Sequence, residues 1–130
     1  MFKANAGRGG STKQVGDAAE ALALRYLQRA GLVLECRNYR WARGPSARGG
    51  EIDLVMRDRD GTLVFVEVRA RAGSGQGGAL ASVGSAKQRS LVRAAQHYLL
   101  QFASLPPCRF DVVAVQGSDV EWVQAAFDAL

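Results

Sequence analysis

Hydrophobic and polar residues alternate with a period of two over residues 50–56, and again over residues 64–71. In the first run Ile52, Leu54 and Met56 take one parity, and Glu51 and Asp53 take the other. In the second run Val64, Val66 and Val68 take one parity, and Glu67, Arg69 and Arg71 the other. Successive strand residues point to opposite faces, so both runs read as strands with an apolar face and a face that carries charge partway along. Between them, residues 57–61 read Arg-Asp-Arg-Asp-Gly, and Asp-Gly is a strong hairpin signal. With an odd-length loop centred on Asp60, the numbers of facing residues sum to 120. Asp53 then faces Glu67 on one side of the sheet, and Glu51 faces Arg69. A two-residue loop would throw one strand's charges to the other face. Charges in such β-prone runs cost free energy if buried unpaired, and a metal site is the purpose that cost suggests.

The remaining periodicities complete the fold. Residues 1–13, rich in glycine, read as a basic, flexible N-terminal tail, leaving 14–130 as one domain. Over residues 14–30, Val15, Ala19, Leu22, Ala23, Tyr26, Leu27 and Ala30 fall at helical spacing, and Gly31 is a natural stop. Glu20 flanks this stripe, where it is either a solvated charge or a group reaching toward whatever the helix covers. Residues 32–39 read as a strand. Residues 40–49 read as a loop whose Arg40, Arg43 and Arg48 are either incidental surface charge or phosphate contacts, with Trp41 able to stack on a base. The glycine-rich residues 72–78 read as a loop that could lie over the carboxylates. A helix over 86–102, capped by Ser85 or Gly84, places Lys87 and Gln88 one turn before its apolar stripe of Leu91, Ala95, Tyr98 and Phe102. Lys87, Arg89 and Arg93 make its first half basic, and His97 sits mid-helix as a structural residue. Residues 109–116 read as an internal strand in which Asp111 caps or pairs, residues 120–123 as a short edge strand, and residues 125–130 as a final turn. The order is α-β-β-β-α-β(-β), an α/β fold with a mixed sheet flanked by helices.

Composition narrows the partners. The chain has 130 residues, 48% of them hydrophobic, which suffices for one domain with a real core. The net charge of +5 and pI near 9.8 favour an anionic partner, nucleic acid ahead of an acidic membrane surface. No apolar run approaches the ~20 residues needed to span a bilayer, and the N-terminus lacks the apolar core of a signal peptide, so a cytoplasmic location is expected. Cys36 and Cys108 stand apart from each other and read as reduced thiols.

The run Glu20-x-x-Ala23-x-x-Tyr26-Leu27, then Arg37-Asn38-Tyr39-Arg40, Gly50-Glu51-Ile52-Asp53-Leu54-Val55, Val64-Phe65-Val66-Glu67-Val68, Lys87-Gln88-Arg89 and Arg109-Phe110-Asp111-Val112-Val113 resembles the bacterial YraN-like family of uncharacterised small proteins. The match runs from about Gly16 to Phe127. That family in turn resembles the restriction-endonuclease-like superfamily and, within it, archaeal Holliday-junction resolvases. The resemblance implies an αβββαβ core and a Mg²⁺- or Mn²⁺-dependent endonuclease acting on branched or structured DNA, with a homodimer by analogy. It assigns Asp53 and Glu67 as metal ligands, with Glu20, Arg69 and Gln88 completing the catalytic set. The basic residues Arg40, Arg43, Arg48, Lys87 and Arg89 would then contact nucleic acid. One departure bears on activity. The family usually has Lys two residues after the second acid, where this chain has Arg69. An arginine does not readily give up a proton at pH 7, so any role needing a neutral amine is lost. The alternative is therefore a nucleic-acid-binding module of the same fold with impaired catalysis.

Overall fold

The structure, a computed structural model, describes residues 12–42, 44, 48–71 and 78–128. Helix α1 (Thr12–Arg29) leads into β1 (Val33–Trp41), β2 (Gly50–Arg57) and β3 (Leu63–Ala70). A single 3-10 turn (Leu80–Ser82) precedes α2 (Ser85–Leu99), and β4 (Cys108–Gln116) and β5 (Asp119–Phe127) close the chain. The five strands lie in sequence order in one sheet. Only β3 and β4 run parallel; the other three pairs are antiparallel. A parallel pair needs a long crossover, and α2 supplies it. The arrangement is the expected αβββαβ core with one further strand at its edge.

The helices cover opposite faces. Ala19, Ala23 and Leu27 of α1 pack on Leu54, Met56, Val64, Val66, Val113 and Val115. Leu91, Ala94, Ala95, Tyr98 and Leu99 of α2 pack on Ile52, Val55, Leu63, Phe65 and Phe110. The central strands therefore bury both faces, which accounts for the nearly unbroken apolar run in β4. Gly31, at φ +104°, ends α1 in a Schellman geometry. The Leu32 amide donates to the Leu27 carbonyl at 3.1 Å, the Gly31 amide donates to Gln28, and Leu32 buries itself beside Leu27.

Several sequence expectations need correction. Thr12 and Lys13 belong to α1 rather than to a tail, and Lys13 pairs with Asp17 one turn on; residues 1–11 lie outside the described residues. Arg40 and Trp41 belong to β1 rather than to the following loop. Trp41 stacks on the His97 ring with centroids 4.7 Å apart, so its face is engaged by protein. The last strand is not short, and no turn forms at 125: β5 continues to Phe127 through Ala125, whose φ of 49° accommodates a register shift against β4. Of the loop proposed over the carboxylates, at 72–78, all but Gly78 lies outside the described residues, as does Arg43. Among the described residues, no helix is long and apolar enough to cross a membrane.

Candidate functional site

The β2–β3 hairpin has the odd-loop register. Leu54 faces Val66, Val55 faces Phe65, Met56 faces Val64 and Arg57 faces Leu63, each pair summing to 120. The turn is closed by the Asp58 amide donating to the Thr62 carbonyl at 2.9 Å, with Gly61 at φ +90°. The next rung would set Asp53 against Glu67, but the ladder stops there. Instead the Val68 amide donates to Asp53 Oδ2 at 2.7 Å. Asp53 thus turns its carboxylate into the gap between the two strands and caps a backbone donor freed by their separation. Its carboxyl and that of Glu67 come within hydrogen-bonding reach of each other.

This placement departs from simple alternation. Ile52 packs under α2, whereas Leu54 and Met56 pack under α1. The three do not share a face, because the strand changes parity at Asp53. Glu51 does not meet Arg69 either. It lies 3.9 Å from Arg40 Nε, its partner across β1, and 3.6 Å from Lys87 Nζ.

Glu67 is 2% exposed, and its Oε1 is buried without a hydrogen-bond partner. Two cations approach the other oxygen, Oε2, at long range: Arg69 Nη1 at 3.5 Å and Lys87 Nζ at 3.7 Å. Charge-assisted bonds close to about 2.7–2.9 Å, so neither pair is tight. Burial pushes the Glu67 carboxyl up to about 8, and the charge of Asp53 adds to the shift. Burial also raises Asp53, against the pull of the Val68 amide. Two acids that close together do not both ionise without a proton or a cation between them.

Glu20 approaches Asp53 from the α1 side, near enough to feel its charge. Burial and the charge of Asp53 raise its carboxyl, while Arg37 and Asn38 lower it. With its nitrogen turned toward the carboxylate, the Asn38 amide donates to Glu20 Oε1 and Oε2 at 3.3 and 3.2 Å. Sequence reasoning did not single out Asn38; the available signal was that Asn is among the few residues at ease in the left-handed conformation it adopts, φ 52°.

The start of α2 is held on β2 by a close approach. A Cβ on Gly50 would lie 2.1 Å from the Ser90 carbonyl oxygen, so only glycine fits there. Ser90 Oγ accepts from the Glu51 amide at 3.3 Å, and Arg93 Nε donates to the Gly49 carbonyl at 2.7 Å. This contact carries Lys87 to the carboxylates. Gln88 is not brought with it, because its amide donates to the Val83 carbonyl at 3.1 Å. Gln88 instead lines a groove of about 390 Å³ along α2 with Ser85, Arg89, Val92, Arg93 and Asp128. Arg40 and Arg48 are exposed on β1 and just before β2.

Among the described residues, no three of His, Cys, Asp and Glu cluster closely enough to hold an ion by themselves. The pair of Asp53 and Glu67 still suits Mg²⁺ or Mn²⁺. Mg²⁺ takes one or two carboxylates and keeps several waters, and the buried, unpartnered Glu67 oxygen is a hard donor awaiting a partner.

Fold and site together define an α/β domain with an acidic pair, Glu67 buried and Asp53 half-buried, at a fork between antiparallel strands and rimmed by basic residues. Its kinship is direct. The uncharacterised protein family UPF0102 matches residues 19–115, and the chain belongs to that family. It is 66% identical over 119 residues to a UPF0102 protein of Methylibium petroleiphilum, covering 92% of this chain and 98% of that one. It is 59% identical over 134 residues to a UPF0102 protein of Paracidovorax citrulli, covering 99% and 97%.

Proposed function

We propose that this protein is a Mg²⁺- or Mn²⁺-dependent endonuclease that hydrolyses phosphodiester bonds in branched or structured DNA. The observation that carries the reading is the buried, unpartnered Glu67 oxygen beside Asp53. A phosphodiester is anionic, and attack by water adds charge to its non-bridging oxygens. When bound, a divalent ion would lower the pKa of its water and neutralise that charge. Asp53 and Glu67 would hold it, and Glu20, reaching in from α1, would orient water. Arg69 and Lys87, the cations nearest Glu67, would hold non-bridging oxygens. The exposed Arg40, Arg48 and Arg89 would contact flanking phosphates.

A second reading rests on Arg69. Its guanidinium sits 3.5 Å from Glu67, where a proton-releasing lysine would serve as a base. With arginine there, the protein binds DNA through its basic rim and cleaves it slowly or not at all.

One experiment separates the two. The protein is incubated with Mg²⁺ or Mn²⁺ and labelled four-way junction, flap, single-stranded and linear duplex DNA. The first reading expects cleavage that Asp53→Asn and Glu67→Gln each abolish. The second expects salt-sensitive binding without cleavage, and cleavage appearing with Arg69→Lys. Absence of both binding and cleavage at low salt refutes both.

A further inference from the structure

The acidic pair owes its geometry to a break in two strands at once. Between β1 and β2, past a register shift at Leu34/Cys36, one register holds from Cys36 to Trp41: Arg37 faces Leu54, and Tyr39 faces Ile52. The rung between them, Asn38 and Asp53, is not paired. Regular strands put residues i and i+2 on one face. Here Leu54 lies under α1 and Ile52 under α2. On β1 the change is the same: Tyr39 packs under α2, while Arg37 acts on Glu20 of α1. Both strands therefore change faces at the same rung, which lets them stay in register beyond it. Of its two residues only Asn38 has a positive φ, at 52°, and it is exposed. Its amide meets both oxygens of Glu20.

We infer that Asn38 is a positioning residue of the acidic pocket. Its left-handed backbone lets β1 follow the turn-over of β2, which frees Asp53 from that ladder and aims it between β2 and β3. Its side chain separately holds Glu20 near Asp53. The inference concerns how the acids are placed; its second half, the hold on Glu20, rests on the ion-binding role proposed above. Asn38 touches no reacting atom, and neither role requires it to.

Three substitutions divide the roles. Asn38→Gly keeps the backbone conformation and loses the amide. Asn38→Asp keeps a side chain tolerant of that conformation but faces Glu20 with like charge. Asn38→Ala loses both the tolerance and the amide. The first readout needs no metal: hydrogen exchange at the Val68 amide, which Asp53 caps, against the Val66 amide as an internal reference. Asn38→Ala should lower protection of Val68 relative to Val66 by roughly tenfold, while Asn38→Gly and Asn38→Asp leave the ratio near that of the wild type. Equal ratios in all four proteins would overturn the backbone role. The second readout is Mn²⁺ affinity by calorimetry. Asn38→Gly and Asn38→Asp should change it severalfold with Val68 protection intact, and unchanged affinity in both would overturn the side-chain role. If the wild type takes up no Mn²⁺ yet Val68 protection responds to Asn38→Ala, the ion-binding reading fails and the positioning of Asp53 stands. Should Asn38→Ala not fold while Asn38→Gly does, that contrast itself supports the backbone role, and failure of both overturns it.

Discussion

Two acids lie buried on neighbouring strands of this sheet, and they are treated oppositely. Asp111 of β4 is 1% exposed and fully engaged. Arg109 Nε donates to its two oxygens at 3.0 and 3.2 Å, Trp122 Nε1 donates at 2.9 Å, and the Ala125 amide donates at 2.9 Å. Arg109 is itself anchored by Asp58 at 3.0 Å. Glu67 of β3 is as deeply buried, yet one of its oxygens has no partner, and its nearest cations stand off at 3.5 and 3.7 Å. Both oxygens of Asp111 are satisfied within the fold, whereas Arg109 Nη2 beside it and Glu67 Oε1 are buried without a partner. An unsatisfied buried oxygen costs free energy that folding does not recover, and of the two acids that cost falls on Glu67, not Asp111.

The contrast breaks most sharply under mutation. Asp111→Ala leaves Arg109 with Asp58 alone, strands the Trp122 Nε1 and Ala125 donors, and should destabilise the protein by roughly 3–5 kcal/mol. In metal-free protein at pH 8, Glu67→Gln should instead be neutral or stabilising. Urea melts of the two variants decide it, and equal losses would erase the distinction.

The next largest effect is on pH. The folded Glu67 carboxyl titrates near 8 against an ordinary 4.5, so between those values the native state binds more protons than the unfolded chain. Stability from this group is present below pH 4.5 and is lost as pH rises through 8, by an amount on the order of 2–4 kcal/mol. Melts of metal-free protein across pH 5–9 should show that fall, and Glu67→Gln should flatten it.

Divalent ions should reverse the loss. At a free Mn²⁺ concentration of about 100 times the dissociation constant, the wild type gains about 2.7 kcal/mol, and Asp53→Asn and Glu67→Gln gain nothing. Thermal melts with and without Mn²⁺ measure it. The smallest effect on stability is that of Arg69→Lys, within about 0.5 kcal/mol for a side chain that is partly exposed. Its consequence is expected in cleavage rate.

Much of this was legible in the residues. The Asp-Gly turn set the β2–β3 register over residues 54–57, which stops one rung short of Asp53 and Glu67. Gly31 announced the end of α1, and the apolar run of β4 its internal position. What escaped was set by contacts distant in sequence. Period-two alternation cannot show a paired change of face, so Ile52 was placed beside Leu54, and Asn38 was given no role. The choice of Lys87 over Gln88 depends on how α2 rests on Gly50, which no local pattern encodes. At the end of β5, Ala125 and Ala126 carry too weak a strand signal to extend it to Phe127. Trp41 looked available for a base because its partner, His97, lies 56 residues away in sequence.

The most direct test is a calorimetric titration of metal-free protein with Mn²⁺ at pH 7, with the proton release followed in buffers of different ionisation enthalpy. Saturable binding that expels about one proton, and that vanishes in Glu67→Gln while persisting in Arg40→Ala, is the predicted result. No uptake by the wild type, or uptake that Glu67→Gln leaves intact, would contradict it.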